Sequence, residues 1–305
     1  MARRTGYRKA TRTPEQRDAE RQALLDQMTA QVAALRGSDE WQAWLRFAAR
    51  FHTYSFRNQM LILAQRPNAT LVMGYGDRCP KGGDHGWPCT KPSAHRGGWL
   101  SLGRHVVKGE HGISIMAPST RKVEVEDKRT GEVTEKRWTA FRPVHVFDVS
   151  QTDGAPLPDR IAEPPRTTGT VDDLVTACTL AGELGFTVKE HATAIRNGAR
   201  GWWEPGTTVV HVVRDAAHPG DMARTIFHEL AHALDVHLPQ RSKRDRELVA
   251  ESVSFIVSEA HGLAGALDPD TCLYLASWKA DTDTMLAVGH DVRTLAAVLL
   301  GEAVA

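Results

Sequence analysis

The stretch Thr225-Ile226-Phe227-His228-Glu229-Leu230-Ala231-His232-Ala233-Leu234-Asp235 decides how this chain is read. It holds H-E-x-x-H inside a run whose apolar residues recur at spacings of three and four: Met222, Ala223, Ile226, Phe227, Leu230, Ala233 and Leu234. That period predicts a helix buried along most of its surface. Residues four apart on a helix share a face, so His228 and His232 project together. Two neutral imidazoles so placed can share one Zn²⁺. Glu229 beside them has the chemistry of a general base toward a water that the metal activates. The bland alternative is a pair of histidines satisfied on a core helix.

The next segment, Ser242 to Ser258, also reads as a helix. Leu248, Val249, Val253, Phe255, Ile256 and Val257 cover most of its sides, leaving a stripe of Glu247, Glu251, Ser254 and Ser258. Carboxylates on a mostly buried helix need a cation or a hydrogen-bond partner, and a zinc on His228 and His232 would supply one. The longer pattern H-E-x-x-H-x-x-G-x-x-H fails, because Asp235 stands at the Gly position and Leu238 at the His position, with His237 off register. A glutamate from the following helix, the gluzincin arrangement, fits better. Glu247 and Glu251 lie one turn apart, so one can bind metal while the other accepts the N–H of a ligating histidine. Glu247 is the preferred ligand and Glu251 the preferred orienter, with the reverse assignment open.

The chain has 305 residues, enough for two domains. No apolar run is long enough to span a bilayer, and the first residues, Met1 to Lys9, lack the apolar stretch of a signal peptide. A cytoplasmic location is expected. Four cysteines do not suggest a disulfide scaffold. The net charge of +1 hides an asymmetry: residues 1–152 hold 25 Lys and Arg against 15 Asp and Glu, whereas residues 153–305 hold 13 against 22. A basic half joined to an acidic half suggests different partners, the basic one a polyanion such as nucleic acid.

In chain order, residues 1–12 form a basic tail of low apolar content. Thr13-Pro14-Glu15 is a helix start, and the helix runs to about Arg36. Gly37 stops it and Ser38 is expected to cap the next helix, which carries Trp41, Trp44, Leu45, Phe47 and Ala48. A third helix follows Tyr54-Ser55 and ends before Pro67. These aromatics at helical spacing are expected in a core. From Leu71 the texture turns to strands: Ile113 to Ala117, a charged hairpin from Arg121 to Phe141 turning at Thr130-Gly131, and Pro143 to Val149. Residues 13–152 thus read as one domain, the Pro-rich residues 153–169 as a linker, and 170–305 as a second domain. The latter opens with a helix over about 171–184 and a strand at 186–190. A hairpin turning at Pro205-Gly206 follows, and two or three shorter helices close the chain.

Cys79, His85, Cys89 and His95 fall in a Gly/Pro/Lys-rich stretch as C-x5-H-x3-C-x5-H. A small structural zinc loop is one reading; a basic loop with unpaired thiols is the other.

Three stretches together resemble a known family. Tyr54-Ser55-Phe56-Arg57-Asn58-Gln59-Met60-Leu61-Ile62-Leu63-Ala64-Gln65, the run from Trp99 to Ile113, and Val146-Phe147-Asp148-Val149-Ser150-Gln151-Thr152 look like the N-terminal domain of ArdC-type antirestriction proteins. The acidic half is similar to the zincin-like metallopeptidase domain fused to it, itself related to the ImmA/IrrE group. Glu-Leu-Val-Ala-Glu at Glu247 to Glu251 matches that family and supports Glu247 as ligand. The Cys/His loop departs from the pattern.

The resemblance implies an α+β protein with a helical plus small β-sheet N-domain that binds single-stranded DNA and a gluzincin-type C-domain with Zn²⁺. It also implies carriage on a mobile genetic element and protection of incoming DNA from restriction. Arg57, Lys81, Trp99, Arg104 and Lys108 are the expected DNA contacts, by phosphate pairing and base stacking, with a merely solvated basic face as the alternative. His211 and His261 are unranked candidates for stabilising an oxyanion. Two rivals remain: a non-catalytic protein with a structural zinc that coats single strands or occludes a restriction enzyme, and a regulatory peptidase that cleaves a repressor.

Overall fold

The computed structural model describes residues 13–35, 37–76, 98–126, 133–157, 169–192, 199–215, 218–263, 271–272, 275 and 281–302, with backbone alone at 14, 17, 38, 120–126 and 133–139. It is a mixed helix and sheet protein. Helix α1 spans Pro14–Ala34; Thr13 accepts from the N–H of Gln16, and the Gln16 side chain returns the bond to Thr13. Helix α2 spans Ser38–Arg50. Ser38, expected as its cap, is its first helical residue, and Gly37 takes the cap position without a side-chain bond. Helix α3 spans Phe56–Gln65 and is capped by Ser55.

The aromatic residues of α2 are core, as expected. Trp41 and Trp44 are fully buried and pack edge to face at 4.7 Å, and Trp44 meets Phe56 at 5.1 Å. The indole N–H of Trp44 donates to Gln59 Oε1 at 3.1 Å, and Gln59 donates to the carbonyl of Phe51. A buried amide is tolerated because its groups are paired.

Strands β1 (Val72–Met73), β2 (Arg104–Val106), β3 (Ile113–Glu126), β4 (Val133–Asp148) and β5 (Thr152–Gly154) follow. β1, β4 and β3 form one antiparallel sheet in that order, and β2 pairs with β5. The separate strand segments expected between Ile113 and Val149 are two continuous strands in register from Ile113↔Val146 to Glu126↔Val133. Pro118 and Pro143 look like breaks, yet neither interrupts the ladder. Ser114 and Met116 turn their N–H groups outward to α3, so Pro118, two residues on, has its missing N–H on that same outward edge. Pro143 sits opposite Met116 in the same class of pair.

Helix α3 closes the free edge of β3 with side-chain amides. Asn58 donates to Met116 O and accepts from Met116 N, both at 2.9 Å. Gln65 does the same with Ser114, both at 2.8 Å. Residues two turns apart on a helix meet residues two apart on a strand, and both edge peptides are satisfied.

The second half carries α4 (Val171–Glu183), β6 (Thr187–His191), β7 (Gly201–Trp203), β8 (Val209–Val213), α5 (Pro219–Leu234), α6 (Lys243–Ala260) and α7 (Thr282–Leu299). The β7–β8 hairpin turns at Pro205-Gly206, where Gly206 adopts φ 80°. β8 is central: β6 runs parallel to it and β7 antiparallel. α7 has 18 residues, longer than the short closing helices expected. Met285, Val288, Val292, Leu295, Ala296 and Leu299 keep one face apolar along its length.

The first three helices and the second half share one continuous apolar core. Trp41 Nε1 donates to Ser252 Oγ of α6 at 2.9 Å, and the Arg46 guanidinium lies 5.7 Å over the Phe255 ring. Arg293 of α7 donates to the carbonyls of His52 and Tyr54. Among the described residues no helix is long and apolar enough to cross a membrane.

Candidate metal centre

Helix α5 begins with Pro219 in its first turn and runs through Leu234, so His228 and His232 face one side one turn apart. Their rings meet edge to face, and their Nε2 atoms stand 3.0 Å apart. Helix α6, capped by Ser242 on the N–H of Asp245, lies across that face. It brings Glu247 Oε2 to 3.3 Å from His228 Nε2 and 3.7 Å from His232 Nε2. Two ring nitrogens and one carboxylate oxygen, one from each residue, lie within 4.8 Å of one another. Glu251, one turn on, approaches the other nitrogen of His228, Nδ1, at 3.3 Å. The structure therefore brings together His228, His232, Glu247 and Glu251, and separates the two glutamates by which nitrogen of His228 each one meets.

The charges are strongly coupled. Burial opposes a positive His228, but Glu247 and Glu251 outweigh it and push its pKa up to about 10. The same two histidines hold the Glu247 carboxyl well below the usual carboxylate range. Burial pushes Glu229 up, against the pull of His228, His232 and a hydrogen bond from the N–H of Trp203. A cluster that draws protons onto imidazole while keeping a carboxylate ionised is one that a cation can satisfy in place of the proton.

The histidines and glutamates line an open cleft of about 830 Å³ between β7 and the start of α6. Glu229 is 9% exposed, and its Oε2 accepts from the backbone N–H of Trp203 at 2.8 Å. Trp202 and Trp203 line the cleft. A buried clasp holds the α5–α6 connection: Arg241 Nε bonds Asp235 Oδ2 at 2.7 Å and Arg241 Nη2 bonds Asp291 Oδ2. His237 Nδ1 meets the same Asp291 oxygen at 3.1 Å. Sequence reasoning missed Trp203 as a partner of Glu229, and it missed Arg241. The one signal for the clasp was Asp235 standing where a pattern demanded Gly. Asp291 carried none, lying 50 positions from Arg241.

The other expected residues fare differently. Trp99 is fully buried and its indole donates to Phe147 O at 2.8 Å, which corrects its assignment as a base-stacking platform. Arg104 is a tie between β2 and β5: Nε and Nη2 bond Thr152, and Nη1 bonds the carbonyl of Ala155. Three of its five donors serve the fold. Arg57 and Lys108 are exposed. Cys79, Lys81, His85, Cys89 and His95 lie outside the described residues. His211 stacks on Trp202 at 4.4 Å with its Nδ1 2.8 Å from His191 Nε2, and His261 lies 6.1 Å from Phe227 with its pKa pulled down by burial. Neither lines the cleft.

The stretches that carried the resemblance supply α3, β2 and the end of β4. Asn58 and Gln65 close β3. Asp148 accepts from the N–H groups of Thr70, Leu71 and Ser150, and Gln151 answers at the N–H of Asp148. Residues 18–149 match the family described as the N-terminal domain of anti-restriction factor ArdC. The ArdC match spans most of α1 through the end of β4 and stops before the helices of the metal cluster. No curated protein matches the chain. Among solved structures, metal-free antirestriction ArdC protein from the R388 plasmid is 19% identical, with 81% of this chain and 84% of that chain covered and a TM-score of 0.49. The Mn(II)-bound structure of that ArdC is 17% identical, with 92% and 96% covered and a TM-score of 0.48.

Proposed function

We propose that this chain is an antirestriction-type protein whose first half binds single-stranded DNA and whose second half is a zincin-like, metal-dependent peptidase of the gluzincin type. The observation that carries the enzymatic part is the convergence of His228, His232 and Glu247 beside Glu229 in an open cleft. The donor set of two imidazoles and one carboxylate suits Zn²⁺, with His228, His232 and Glu247 as ligands. When bound, the metal would polarise a scissile carbonyl and acidify water. Glu251 accepts the Nδ1 proton of His228 and so fixes which ring nitrogen faces the metal. Glu229 is the proton carrier: its carboxylate sits at the cleft floor, oriented by the N–H of Trp203, and takes the proton of the attacking water.

The DNA-binding part rests on the ArdC N-terminal match and on the excess of basic residues in residues 1–152, with Arg57 and Lys108 as the exposed candidates among the described residues. The test is metal content and binding of a labelled oligonucleotide across a salt series, on wild type, His228→Ala and Glu229→Gln. Wild type and Glu229→Gln should hold about one metal per chain, His228→Ala should lose it, and all three should bind single strands. A wild type that takes up no metal removes the peptidase reading. Single strands bound no better than duplex would remove the other half.

A further inference from the structure

Lys243 and Arg246 stand on the first turns of α6, on the face that also carries Glu247, Glu251 and Ser254. Both line the metal cleft. Among the described residues neither meets a carboxylate; Arg246 Nε donates to the carbonyl of Arg241 at 3.1 Å. On the opposite wall Arg200 and Arg224 both bond the carboxylate of Asp221, at 3.2 and 2.6 Å. Four cations thus gather around one cavity in a half of the chain that holds 13 Lys and Arg against 22 Asp and Glu. The acids of the same cavity are engaged: Glu229, Glu247 and Glu251 stand at the histidine cluster and Asp221 bonds Arg200 and Arg224, which leaves Lys243 and Arg246 as the cations of the cleft without a carboxylate among the described residues.

We infer that the cleft selects an acidic segment of polypeptide, one carboxylate side chain of which docks between Lys243 and Arg246. The inference rests on the peptidase reading above. Cations in a concave, partly desolvated site attract an anion more strongly than the same charges on an open surface. A polypeptide suits this arrangement better than a nucleic acid does. It can place one carboxylate on the rim and neutral backbone over Glu229, Glu247 and Glu251, whereas a phosphodiester chain brings a negative charge with every nucleotide over those same glutamates.

The test uses the full-length, metal-loaded Glu229→Gln variant, so that binding is read without turnover. The probes are a fluorescein-labelled Glu-rich peptide and its Gln counterpart, followed by anisotropy at low and high salt. The Glu peptide should bind at least about tenfold tighter at low salt. In the same background Lys243→Ala with Arg246→Ala should erase that preference while metal content stays unchanged; Lys243→Ala alone should remove part of it. Equal binding of the two peptides, binding of neither, or a preference that survives the double variant overturns the inference. So does a single-stranded oligonucleotide that displaces the peptide from the parent cleft but not from the double variant, since the cations then serve phosphates. Turnover is a separate readout with Glu229 restored. A Glu peptide bound by this rule and never cut counts against the peptidase reading alone; peptides cut without regard to charge count against this inference alone.

Discussion

The carboxylate of Glu229 accepts a 2.8 Å hydrogen bond from the backbone N–H of Trp203. This links the middle of the metal helix to the outer edge of β7, and it aims a buried carboxylate at the cleft. Gln can accept the same bond but cannot take a proton. Glu229→Gln should therefore keep the fold and the metal while turnover drops by on the order of 10²- to 10⁴-fold. Paired metal analysis and kcat measurements decide it; a variant with near-normal turnover would remove Glu229 from the chemistry.

Glu247 and Glu251 should separate in a metal-competition titration. Glu247 faces Nε2 of both histidines, so Glu247→Ala removes the proposed third ligand and should abolish tight binding. Glu251 touches only Nδ1 of His228, and Glu251→Ala should weaken affinity by roughly 10- to 100-fold. The reverse ranking would exchange their roles.

Arg241 is 10% exposed in its side chain, and its partners Asp235 and Asp291 are 3% and 17% exposed. Removing one member of a buried ion network strands the others. Arg241→Ala should cost about 3 kcal/mol in urea unfolding and lower metal affinity, because the α5–α6 connection loses its tie. Replacing all three residues with apolar ones of similar volume should recover most of the stability. A single variant with unaltered unfolding would show that the clasp holds nothing.

Gly289 of α7 lies against the ring of Phe56, and a Cβ added there would come within 2.4 Å of it. Gly289→Ala should destabilise the protein by about 1–3 kcal/mol through overpacking. Since Phe56 belongs to α3 and Gly289 to α7, the loss should appear in probes of both halves, as a single unfolding transition at a lower midpoint. Two separate transitions, only one of them shifted, would contradict the shared core.

Burial alone would raise the pKa of Asp148, but the hydrogen bonds it accepts from Ser150, Thr70 and Leu71 hold it below the ordinary carboxylate value. A carboxyl with a lowered folded pKa contributes stability above its unfolded value, near about 3.9, and loses it as pH falls through the folded one. Asp148→Asn should cost about 1–3 kcal/mol at neutral pH. The gap to wild type should close as the pH drops below about 4. Urea midpoints for both proteins across that range check the sign; a gap that widens on acidification would rule the account out.

Much of this protein is written locally. The period of Ile226, Phe227 and Leu230 makes α5, the spacing of His228 and His232 puts both on one face, and the stripe of Glu247 and Glu251 turns acids toward whatever cation α6 meets. Helix starts at Thr13, Ser55 and Ser242 are equally local, because a cap acts within three residues. The failures share a cause. Trp99 has the side chain of a base-stacking surface, but whether an indole is packed inside depends on Phe147, 48 positions away. The join of Pro118 and Pro143 into unbroken strands likewise depends on which edge faces outward. Sequence alone determined most of the helices and the chemistry available on each face, since those follow from periodicity and residue type. The tertiary structure decided which nitrogen of His228 meets which glutamate, what orients Glu229, and that α1–α3 share a core with the metal helices, since these are contacts between residues that only folding brings together.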